Sequence, residues 1–142
     1  MKLHSLLIPA ILAPIAWFGA CTGPASQDGD GVNSVQFRDM VIPSGLRLID
    51  AAHESHSAAT GQWRHGRFVY GGLVEPDEAA AYVRQQMPRH NWELVKDETT
   101  SKHPRTTTMR YVRGQYVAEY VIARIDGRTQ MVIEYDTDYT RR

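Results

Sequence analysis

The chain has 142 residues, with 16 basic and 16 acidic side chains, no formal net charge and a single cysteine. That balance offers no basic surface to steer the protein toward phosphate backbones, which argues against a nucleic-acid partner, and one thiol excludes an intramolecular disulfide. The length left after any leader suits one hydrophobic core rather than two.

Lys2 opens the chain, and Leu6 to Ala20 follow without a charge. This is the layout of a basic segment and a secretory apolar region. The run is shorter than the ~20 residues a membrane-spanning helix needs, and Pro9 and Pro14 interrupt it. Small residues then precede the only cysteine in Phe18-Gly19-Ala20-Cys21. The tetrad resembles a bacterial lipobox. The resemblance implies a signal peptide over residues 1–20, cleavage before Cys21, and diacylglycerol on its sulfur with an acyl chain on the new amino group. Two or three acyl chains hold a protein firmly to a bilayer, at about 0.8 kcal/mol per buried methylene. Thr22 rather than an aspartate follows the cysteine, which in such lipoproteins implies the outer membrane, facing the periplasm.

Residues 21–34 read as the lipidated cysteine and a flexible tether of Gly, Pro, Ser and Asp. The thirteen residues after Cys21 span about 20 Å on average. Asp28-Gly29-Asp30-Gly31-Val32-Asn33 lacks the ligand and the turn glycine of a calcium loop at its fifth and sixth positions.

Residues 35–142 form one expected domain. Pro43-Ser44-Gly45 signals a turn before a short strand at Leu46 to Asp50. Ala51 to Gly61 reads as a polar loop, and Trp63 to Tyr70 as two strand pieces about a His65-Gly66 turn, closed by Gly71-Gly72. Glu75 to Met87 is the expected helix: Pro76 suits its first turn, Asp77 and Glu78 favour the positive dipole end, and Ala79, Ala80, Tyr82, Val83 and Met87 make an apolar stripe. Pro88 stops it and Asn91 suits a left-handed exit. Trp92 to Val95 reads as a strand entering the core. Thr107 to Val112, Tyr116 to Ile125 and Gln130 to Tyr135 follow, joined at Arg113-Gly114-Gln115 and at Asp126-Gly127, the strongest two-residue hairpin signal. The fold class expected is α+β, a twisted antiparallel sheet with a C-terminal β-meander and one main helix packed on one face.

The order Tyr70-x-Gly72, Tyr82, Met87-Pro88 and Trp92-x-Leu94 resembles small single-domain bacterial lipoproteins of unassigned function, over about residues 42–135. Helix-grip domains in lipoproteins of the outer-membrane protein assembly machinery are similar in architecture alone. Neither resemblance brings a catalytic residue.

Among candidate chemistries, His53, His56 and His65 could approach one zinc or copper ion. Their spacing is not His-Glu-x-x-His, and no cysteine is at hand as a soft ligand. No serine lies in a Gly-x-Ser-x-Gly turn, and adjacent Asp97 and Glu98 would point to opposite faces of a strand. Enzymatic activity is therefore not expected. Trp63, Tyr116 and Tyr120 are candidate partner-contacting aromatics. The expected function is a membrane-anchored envelope lipoprotein, a non-enzymatic binding or assembly module that docks onto an envelope protein or peptidoglycan. It needs no cofactor beyond the lipid on Cys21. The alternative is a periplasmic metal- or small-ligand-binding module using His53, His56 and His65.

Overall fold

A computed structural model describes residues 37–49, 53–138 and 140. The expected leader, the acylation site Cys21 and the tether lie outside the described residues.

Among the described residues, seven strands form one antiparallel sheet: β1 (Leu46–Leu48), β2 (His56–Thr60), β3 (Trp63–Gly72), β4 (Glu93–Thr100), β5 (Thr106–Arg113), β6 (Tyr116–Ile125) and β7 (Arg128–Thr137). The order across the sheet is β1-β3-β7-β6-β5-β4, with β2 paired to the first half of β3. A helix, α1 (Pro76–Gln86), joins β3 to β4 and runs on into a 3-10 turn, Met87–His90. The described residues are thus α+β, mostly antiparallel sheet with one helical element.

Each boundary has a local cause. Pro76 sits in the first turn of α1, with Asp77 and Glu78 at its positive end and Arg84 in its last turn. Pro88 tightens the exit, and Asn91 ends it in the left-handed conformation at φ 61°. Asp126 and Gly127, at φ 49° and 75°, both take the positive φ that a type I′ hairpin requires.

The described structure departs from the sequence reading in three places. The expected loop before Gly61 contains β2, whose residues are half-buried or exposed and therefore carry no apolar periodicity. Trp63 to Gly72 is one continuous strand without a turn at Gly66. That glycine instead makes room for a ring, because a Cβ there would lie 2.7 Å from Phe68 Cε2. Finally, β4 is a fully exposed edge strand with a bulge between Leu94 and Lys96. The core residue there is Trp92, just before the strand. Bulges and charged side chains blunt such an edge.

The core lies on the helix side of the sheet. Strand alternation sends Phe68 and Tyr70, Met109 and Tyr111, Ala118, Tyr120 and Ile122, and Met131, Ile133 and Tyr135 to that face. Ala79, Ala80, Val83 and Met87 of the helical element pack on them, while Tyr82 stays partly exposed rather than joining the stripe. The helix covers only part of this face. A strap of residues 37–41 brings Phe37, Met40 and Val41 into the same core. The Val41 N–H donates to Tyr120 Oη at 3.1 Å, and Trp92 Nε1 donates to the Asp39 carbonyl at 3.0 Å. At the far side Ser55 closes the sheet, accepting from Val69 N–H at 3.0 Å and donating to the Ile49 carbonyl at 2.8 Å.

Two neighbouring glycines differ sharply in what they tolerate. A Cβ on Gly72 would fall on the Gly45 carbonyl oxygen, whereas one on Gly71 meets only the movable end of Ile49. Gly72→Ala is expected to cost about 1–3 kcal/mol in denaturant unfolding and Gly71→Ala less than about 0.5 kcal/mol. Burial pushes the Tyr111 and Tyr135 phenols up to about 12, with Tyr120 and Tyr70 raised further. Their unfolded value is about 10, so the stability they contribute is whole below pH ~10 and is lost as pH rises toward 12. A tyrosinate absorbance titration should show these phenols ionising together with unfolding.

Candidate functional site

Among the described residues, no helix lies on the second face of the sheet. Along β6 the alternation that buries Tyr120 turns Val117, Glu119, Val121 and Ala123 to this side. The registers place Arg67 (β3), Glu134 (β7), Glu119 (β6) and Arg110 (β5) in one row. Val69, Val132 and Val121 form the row on one side of it. Val117 and Val112, with Asp136, form the row on the other. A groove of ≈ 830 Å³ follows the charged row, with His56, His65 and Asp138 at its margins.

The charges in that row alternate incompletely. Arg67 Nη1 lies 2.7 Å from Glu134 Oε1, and Arg110 Nη1 lies 3.8 Å from Glu119 Oε2. Between these pairs, Glu119 and Glu134 stand directly opposite one another in the hairpin register. Like charges facing each other across two strands destabilise a sheet. Neither belongs to a core, and what offsets their repulsion is the arginine beside each, at 2.7 Å for Glu134 and 3.8 Å for Glu119.

The sequence-predicted residues divide between locations. Trp63, half-buried, stacks on His65 on the open face, ring centroids 6.2 Å apart and planes at 15°. His56 and His65 come within 6.0 Å, centroid to centroid, and His65 Nδ1 lies 3.8 Å from Asp136 Oδ1. His53 does not join them: it is largely exposed, beside Glu54 at 3.7 Å. Among the described residues no group of three or more His, Cys, Asp or Glu side chains is placed to hold a metal ion. Tyr116 is half-buried on the helix side, its hydroxyl donating to the Gln62 carbonyl at 3.1 Å. Tyr120 is wholly buried, because its even position on β6 points to the core; it offers no surface to a partner.

Sequence reasoning also misses a second polar cluster, at the end of the sheet beneath the strap. Asp39 Oδ2 accepts hydrogen bonds from Arg113 Nη2 and, at 3.1 Å, from Tyr135 Oη. Arg64 Nη1 lies 3.9 Å from Oδ1, an oxygen buried without a hydrogen bond. The Arg113 guanidinium sits 4.8 Å over the Trp92 ring, and that of Arg64 lies 5.6 Å from Phe37 and 5.2 Å from Tyr116. One carboxylate thereby fixes two arginines that are each held against aromatic faces.

No protein-family model, curated protein or solved structure matches the chain. Among the described residues no helix is long and apolar enough to cross a membrane.

Asp39→Asn keeps the shape of the side chain but leaves two guanidiniums without their anion. The expected loss is about 2 kcal/mol, within the range for hydrogen bonds to a charged group. Denaturant unfolding beside Asp138→Asn as a surface control measures it.

Proposed function

We propose that the folded domain is the docking module of a membrane-anchored, non-enzymatic envelope lipoprotein, tethered through acylated Cys21 and facing the periplasm. The partner on this reading is an envelope protein, and it binds the open face of the sheet. The observation that carries the reading is the Glu119–Glu134 juxtaposition at the centre of the face that no helix of the described residues covers. Local rules broken without a structural gain concentrate where a protein meets its partner. A lysine or arginine from the partner, entering between the two carboxylates, would relieve their repulsion. Small apolar groups beside it would cover Val121 and Val132, the partly exposed valines of this face. The short tether and the lipobox resemblance support the anchor, and the resemblance to small bacterial lipoproteins agrees with it.

A second reading, a small-ligand or metal site, is favoured by the approach of His56, His65 and Asp136. It requires a fourth group from elsewhere to complete the coordination usual for zinc. Calorimetric zinc binding that His65→Ala abolishes would favour this reading over docking.

The docking reading is tested by a photo-crosslinking amino acid placed in the living source cell at Val121 or, separately, at Tyr82 on the outer side of α1. The expected outcome is a discrete heavier adduct from Val121, lost in Glu119→Lys/Glu134→Lys protein, and none from Tyr82. Adducts from Tyr82 alone would remove the open face as the docking surface.

A further inference from the structure

The cluster beneath the strap holds more positive charge than its own anion uses. Phe37, Arg38, Asp39, Arg64, His90 and Arg113 are among the residues lining a groove of ≈ 510 Å³, whose arginines outnumber its one carboxylate by three to one. Arg38 is exposed and, among the described residues, has no hydrogen bond or ion pair. Arg64 keeps side-chain exposure of 37% and reaches Asp39 only at 3.9 Å, beyond hydrogen-bond distance, so its bond to the Tyr135 hydroxyl leaves most of its donors unspent. Arg113 spends one nitrogen on Asp39 and another on the His90 carbonyl, at 3.3 Å. The aromatic faces and Asp39 hold the Arg64 and Arg113 planes in place, so a ligand meets donors already ordered. A guanidinium presents five N–H donors in a fixed fork, and a tetrahedral oxyanion matches that geometry.

We infer that this groove binds a phosphate group, with Arg38 and the free edges of Arg64 and Arg113 as its donors. The phosphate can be that of a phospholipid headgroup or of a free phosphate. The lipid source rests on the anchored reading above: the groove lies where the chain enters the fold from its N-terminal side, the pole that a lipidated Cys21 would hold near a bilayer. On that reading the open sheet face is left to the partner while this pole faces the headgroups. The free-phosphate source does not depend on the anchor.

The test uses the full chain carrying Cys21→Ser, so that no acyl chain brings it to lipid, beside the same chain with Arg38→Gln. Flotation compares vesicles of phosphatidylglycerol and phosphatidylcholine with vesicles of phosphatidylcholine alone; the difference cancels any insertion by the apolar leader. In parallel, inorganic phosphate is titrated while the arginine side-chain N–H resonances are followed by NMR, against chloride at equal ionic strength. A phosphatidylglycerol preference that drops about fivefold in Arg38→Gln, with the unfolding midpoint unchanged, supports the site with lipid as its source. Shifts at Arg64 and Arg113 specific to phosphate, without a lipid preference, support the site with free phosphate as its source. Neither response, a response that chloride reproduces, or one indifferent to Arg38→Gln overturns the inference. Acylation is read separately from the native mass of the wild-type chain, so a missing lipid would remove the anchored reading and leave the phosphate result standing.

Discussion

A helix of eleven residues has to seal one face of a sheet six strands wide. The helix is about 16 Å long, whereas the outermost of six strand axes lie about 24 Å apart. The strap of residues 37–41 extends the cover, with Phe37 against Phe68 and Tyr135 and the Val41 N–H on Tyr120 Oη. Packing alone would not hold so short a segment, because ordering each backbone residue costs about 1–2 kcal/mol. The Val41 bond to Tyr120, the Trp92 bond to the Asp39 carbonyl and the Asp39 carboxylate between two arginines fasten it. Much of the structure's buried polar chemistry therefore sits at one pole.

The same alternation that concentrates large side chains on the helix side leaves the other side with small ones. Valines and an alanine alternate there with paired charges; Val69, Val112, Val117 and Ala123 are buried, while Val121 and Val132 stay partly exposed. On the helix face charges serve the fold, since Arg84 binds both oxygens of Asp97, at 2.6 and 2.9 Å, and ties α1 to the edge strand. This pairing holds the Asp97 carboxyl below its ordinary range. Glu98, next along the strand, points to the open side and pairs with Lys96. Glu134 and Glu119 each pair with an arginine on an outer neighbouring strand, Arg67 and Arg110, yet they also face one another across β6 and β7, and the docking proposal rests on that juxtaposition. The surplus of arginines at the strap pole is a separate surface on a different part of the molecule. An anchored module with one surface for a bilayer and another for a partner needs such a separation.

How much of this the sequence carries depends on the range of the interaction involved. Asp126-Gly127 sets the β6–β7 register locally, and counting back to Glu119 and forward to Glu134 already places them opposite, so that part of the candidate site is legible without coordinates. Pro76, Pro88 and Asn91 likewise bound the helical element through backbone chemistry alone. β2 is hidden because HSAAT is polar on both faces and gains its place only by pairing with β3. Gly66 imitates a turn signal in Trp63 to Gly72, although the glycine serves a side-chain approach there. Tyr120 resembles a partner-contacting residue because β6 has apolar residues at both parities, and only the position of the helix decides between them. The Asp39 cluster is invisible for the simplest reason: Arg113 and Tyr135 are 74 and 96 residues away from it in the chain. No local pattern spans such distances.

The anchored docking module is tested most directly by the native mass of the protein taken from its own membranes in mild detergent, beside the Cys21→Ser form. The expected result is a chain beginning at Cys21, carrying acyl mass that the variant lacks, and a second polypeptide bound to it. An unacylated chain with a free thiol and no companion would contradict the anchored docking module.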